Sequence, residues 1–88
     1  MRLNPMPIID TIKLVLRDTL QLGDRVASFD AETPLFGSLP ELDSMAVVNV
    51  VTALEEHFGF EIEDDEITAE TFETLGSLSA FVAGKLDA

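Results

Sequence analysis

Cysteine, tryptophan and tyrosine are all missing from this chain of 88 residues, and it has a single histidine. Without cysteine there is no disulfide framework, no thiolate zinc site and no cysteine nucleophile, so any thiol chemistry has to be imported. That composition suits a reducing cytoplasm, which is the expected location. Basic residues are scarce too: 5 Lys plus Arg stand against 17 Asp plus Glu, a formal net charge of −12. Such a chain repels phosphate backbones and anionic lipid heads, which argues against nucleic-acid binding and electrostatic membrane docking. Its expected partners carry basic surfaces. No run of about 20 apolar residues is present, so no membrane-spanning helix is expected. The segment Met1 to Pro7 lacks the apolar stretch and cleavage pattern of a secretory signal.

What is present points to a folded helical domain. Hydrophobic residues make up 47% of the chain and the mean hydropathy is +0.26, too apolar for intrinsic disorder. The length suits one domain over residues 1–88, with 1–6 a flexible N-terminal segment and a monomer as the default state. Ile8, Ile9, Ile12, Val15, Leu16 and Leu20 recur at spacings of three and four, the stripe of an amphipathic helix. Gly23 is its expected stop, with Arg17 near the negative end of the helix dipole. A long connection to Leu42 follows, rich in breakers (Thr33-Pro34, Gly37-Ser38, Pro40) yet carrying Val26, Phe29, Leu35, Phe36 and Leu39. Loops of that length and apolarity pack against a core, here with one short helical turn expected.

Asp43 is a strong N-cap for a second helix, from Ser44 to Phe58, and Gly59 is its stop. Its valines favour strands by propensity, but the cap, the length and the spacing of Val47, Val50, Leu54 and Phe58 outweigh that. An acidic stretch, Glu61 to Glu66, leads to a short helix or turn near Asp64–Ala69. A final helix starts around Thr71 or Leu75 and runs to about Leu86, with Phe72, Leu75, Leu78, Phe81 and Val82 facing the core. The predicted fold is all-α: a small four-helix bundle, three longer helices and one short, with a long loop between the first two.

Catalytic constellations are absent. His57 is the only imidazole, and no Gly-x-Ser-x-Gly turn surrounds any serine. The carboxylates are many, but so small a domain offers little cleft in which burial shifts their pKa. The acidic run lacks the twelve-residue calcium-loop pattern and its glycine, and no glycine-rich phosphate loop occurs. The sequence therefore predicts no enzyme and no metal site. One residue stands out. Ser44 occupies the first helical position after Asp43, where free N–H groups and the positive end of the dipole favour an attached phosphate. Val48 and Val51 lie on or beside the serine's face of the helix, an apolar strip next to acidic residues that suits docking.

Asp43-Ser44-Met45 opens an apolar helix ending Leu54-Glu55-Glu56-His57-Phe58-Gly59, followed by Ile62 and acid. In that order and spacing the chain resembles an acyl carrier protein over most of its length. Thr33-Pro34-Leu35-Phe36 is similar to that family's hydrophobic loop, and Phe72-Glu73-Thr74-Leu75-Gly76-Ser77-Leu78 to the approach to its last helix. The resemblance implies 4′-phosphopantetheine, transferred from coenzyme A by a phosphopantetheinyl transferase with magnesium. Ser44 is the implied attachment site and Asp43 the motif acid. The arm supplies the missing thiol and bears acyl groups as thioesters, presented to loading and acceptor enzymes. Met45, Val48, Val51, Glu55 and Glu56 become the implied partner surface, and Val47, Val50, Leu54, Phe58 and Ile62 the core or acyl pocket.

Pro40-Glu41-Leu42 replaces the glycine such carriers often have before the motif, and Ala46 and Asn49 stand where fatty-acid carriers show acids. Leu39-Pro40-Glu41-Leu42-Asp43-Ser44-Met45 most resembles carriers encoded beside bacterial exopolysaccharide and exosortase systems, which implies a specialised role. Two alternatives stay open: a polyketide or peptidyl carrier, and an acidic helical interaction module with no prosthetic group.

Overall fold

The computed structural model describes residues 8–87, so the segment expected to be flexible, and the Met1 to Pro7 stretch as a whole, lie outside the described residues. Three α-helices, α1 (Ile8–Leu20), α2 (Ser44–Phe58) and α3 (Leu75–Asp87), alternate with two 3₁₀ segments, Gly23–Ser28 and Asp64–Glu66. Among the described residues there is no strand, only an isolated antiparallel bridge between Pro34 and Thr74. The architecture is the all-α one expected. The minor helix shrinks to 3 residues, while the short helical turn expected in the long loop is a 3₁₀ segment of 6 residues.

In α1 the predicted stripe turns inward, with Ile12, Val15, Leu16 and Leu20 buried and Ile8 and Ile9 packed at its edge. The helix does not wait for Gly23 to end. Gln21 takes the left-handed conformation at φ 57°, and the Leu22 N–H reaches back to the Arg17 carbonyl at 3.0 Å. That six-to-one bond is the Schellman closure, made here by a residue with a Cβ. Glycine was the expected residue because left-handed backbone is cheapest for it. Burial of Leu20 and Leu22 on either side fixes the reversal instead.

Val50 and Leu54 of α2 and Leu75, Leu78 and Val82 of α3 are fully buried against α1, and among the described residues no polar or charged residue is buried as a whole. Each such aliphatic side chain contributes about 1.5–3 kcal/mol on leaving water. Ala46, which stands where fatty-acid carriers show an acid, is 9% exposed and belongs to the core.

The long loop is tied to the start of α3. Leu35 N–H donates to the Glu73 carbonyl, Phe36 N–H to Phe72, Leu75 N–H to Thr33 and Gly76 N–H to Ala31, all within 2.8–2.9 Å. Leu35 is fully buried and Leu42 nearly so, which explains why a breaker-rich connection is so apolar.

Candidate functional site

Asp43 has extended backbone, φ −95° and ψ −174°, and so stands just outside α2. Its Oδ1 accepts from the Ala46 N–H at 2.9 Å, and its carbonyl accepts from Val47 N–H at 2.9 Å. This is the N-cap that the sequence indicates. Upstream, Ser38 and Leu39 donate to the Leu35 carbonyl and Leu42 to Leu39, so the loop arrives already coiled on its buried leucines. Arg25 clamps it from the side through both oxygens of Glu41. The hydrogen bonds from Arg25, with its charge adding to them, hold the Glu41 carboxyl below its usual range, and Glu41 in turn raises the guanidinium.

Ser44 emerges from this frame exposed, in the first turn of α2. Among the described residues no group accepts from the N–H of Ser44 or of Met45. Met45 and Val48 flank the serine at 72% and 58% exposure, on the outer face as expected. Val51 does not join them: it is 7% exposed and lies in the core cluster. On a helix apolar nearly all round, composition does not reveal which valines face out. Packing against α1 selects Val50, Val51 and Leu54 for the interior.

Beside Ser44 opens a cavity of about 210 Å³ lined also by Phe36, Val47, Ile67, Thr68, Ala69 and Phe72. Of the predicted pocket residues only Val47 reaches it. Val50, Leu54 and Ile62 are buried in the main core, and Phe58 packs against that core and stacks on Phe60, with centroids 5.7 Å apart. Phe36, Ile67, Thr68 and Ala69 were missed as site residues, because they reach Ser44 only through the tertiary pairing of the two loops.

At the far end of α2, Gly59 closes the helix at φ 77°. Glu55 is turned to internal use: its Oε2 accepts the Ile62 N–H at 2.7 Å, which fixes the segment leaving the helix. Glu56 is exposed, and Glu55, Glu56, Phe60, Glu61, Ile62 and Glu63 line an acidic groove there. Among the described residues, no group of three or more His, Asp or Glu side chains is placed to hold a metal ion. His57 is exposed, with its ring edge against Phe58 at 5.0 Å. No serine–histidine relay forms at Ser44.

Residues 10–82 match the family described as the phosphopantetheine attachment site. The fold is also that of the solution NMR structure of a holo acyl carrier protein from Nitrosomonas europaea. The two chains are 54% identical with a TM-score of 0.87, over 94% of this chain and 100% of that one. The chain belongs to the acyl carrier protein family. Its members are carriers and not catalysts, their covalent group is 4′-phosphopantetheine, and they serve a phosphopantetheinyl transferase and acyl-processing enzymes.

The carrier's geometry fits that group. An exposed hydroxyl, two unpaired N–H groups and the positive end of a helix dipole meet at Ser44, a set of groups that suits a phosphodiester. A cavity lined mostly by apolar side chains begins on the same rim.

Proposed function

We propose that Ser44 bears the phosphopantetheine arm and that Asp43 positions it by capping α2. The arm's acyl chain then lodges in the cavity walled by Phe36, Val47, Ile67 and Phe72. One observation carries this reading: Ser44 is at once exposed, in the first turn of a capped helix, and on the rim of an apolar cavity. On modification its Oγ forms a phosphodiester with the pantetheine phosphate of coenzyme A, and the nucleotide half departs.

Partner enzymes then meet two kinds of surface. Met45 and Val48 offer apolar contact beside the arm, while Glu56, Glu61 and Glu63 present negative charge at the other end of α2 to loading and acceptor enzymes with basic faces. Glu55, held by Ile62, supports that end through its internal bond. Exposed, uncharged Asn49 favours a specialised pathway over general fatty-acid synthesis. The carrier acts as a one-domain monomer, and its freedom from cysteine suits the cytoplasm.

Intact mass before and after incubation with coenzyme A, magnesium and a broad-specificity phosphopantetheinyl transferase tests the assignment. Wild type gains one phosphopantetheine unit and Ser44→Ala gains none. Folded apo protein that gains nothing defeats the assignment and leaves an acidic interaction module. A gain that survives in Ser44→Ala moves the arm to another residue.

A further inference from the structure

Glu66 closes the second 3₁₀ segment, and three contacts converge on it. Lys85 Nζ, from the last turn of α3, donates to both carboxylate oxygens at 2.9 and 3.2 Å. The Glu63 N–H donates to Oε1 at 2.8 Å, and Thr71 Oγ1 donates to the Glu66 carbonyl at 3.0 Å. None of the three residues of this segment is buried, so apolar packing of its own side chains does not hold it in place. Its attachment to α3 is the ion pair with Lys85, whose two side chains are 23% and 33% exposed.

The three residues that follow, Ile67, Thr68 and Ala69, are one wall of the cavity beside Ser44. Past them the chain is fixed again at Phe72, whose carbonyl accepts from Phe36 N–H at 2.9 Å. The wall is therefore a short strap with unequal fastenings. Several backbone bonds secure the Phe72 end; the Glu66 end has only local bonds, the Thr71 hydroxyl and the core packing of Ile67 beside it, and its one tie to α3 is the side-chain ion pair.

We propose that Lys85 is a positioning residue: through Glu66 it holds the strap and sets how far the cavity beside Ser44 opens to an acyl chain. The proposal rests on the reading of that cavity as the acyl site. It makes chain-length tolerance a property of a residue far along the sequence from the attachment serine and outside the cavity lining.

Amide hydrogen exchange on the apo protein tests the strap without any prosthetic group. The expected result for Lys85→Met is about threefold to fivefold faster exchange at Glu66, Ile67 and Thr71, the size of one partly shielded ion pair. Amides in the core of α1 and α2 stay unchanged, and Lys85→Arg restores the wild-type pattern. No acceleration at those three amides overturns the proposal, as does equal acceleration throughout the helices, which would make Lys85 an ordinary stability residue. In the acylated holo protein, hydroxylamine cleavage of hexanoyl and dodecanoyl thioesters reads the cavity itself. Lys85→Met is expected to protect the longer chain at least about twofold better relative to the shorter, because a looser strap admits it. An unchanged ratio defeats the proposal. Failure of the carrier reading would instead appear as no mass gain at Ser44, so the two failures are distinct.

Discussion

The N–H of Gly76 donates to the carbonyl oxygen of Ala31 at 2.8 Å, and a Cβ built on Gly76 would lie 2.7 Å from that same oxygen. The glycine is required by approach, not by backbone angle. Gly76→Ala would gain up to about 1 kcal/mol of helix propensity in α3. Against this, the methyl collides with backbone that cannot swing aside and forces the bond apart. A net loss of about 1–2 kcal/mol is expected. It should appear as a lower urea midpoint at constant m-value, and an unchanged or higher midpoint would disprove the close approach.

Ser79 Oγ is buried without a hydrogen-bond partner. Removing an unsatisfied hydroxyl relieves a desolvation cost, so Ser79→Ala is expected to stabilise the fold by about 0.5–1 kcal/mol. Thermal unfolding would reveal it as a rise in Tm. A fall would mean that the hydroxyl has a partner in solution.

Hydrogen bonds from Arg25 and Lys85 hold the Glu41 and Glu66 carboxyls below the usual 4.5. A carboxyl whose pKa is lower folded than unfolded adds stability above its unfolded pKa and loses it as pH falls through the folded one. Wild type should therefore exceed a Glu41→Gln, Glu66→Gln double variant by a constant margin near neutrality. That margin should close with acidification below about pH 4.5. A margin independent of pH down to strong acid would refute the charge-based account.

A chain at −12 repels itself, and salt screens that repulsion over a Debye length near 10 Å at 0.1 M. Melting temperature is expected to climb from low to moderate ionic strength. A flat response would mean that the acidic groups are too dispersed for their repulsion to weaken the fold.

Local signals were legible in the sequence where their causes are local. Asp43 caps α2 and Gly59 ends it left-handed, because each needs only its immediate neighbours. Gly23 misled because the chain reversed two residues earlier at Gln21, where packing of the adjacent leucines outweighs backbone preference. Val51 misled because a helix apolar on several faces does not disclose which one meets α1. The site was half legible. Ser44 and its cap follow from the motif, whereas Phe36, Ile67, Thr68 and Ala69 reach the serine only through pairing of segments far apart in the chain.

That pairing carries a consequence for the order of events on a ribosome. Residues 31–36 bind 72–76, contacts separated by more than a third of the polypeptide, and contacts of such span close late because loop entropy opposes them. Ser44 and its cap can be in place while the end of the chain is still in the exit tunnel. The recess beside the serine cannot form until Phe72 has emerged and met Phe36. On the proposed assignment, the modifying enzyme would meet Ser44 during synthesis before the cavity beside it exists, and a nascent chain would be open to the arm before it could shelter what the arm holds.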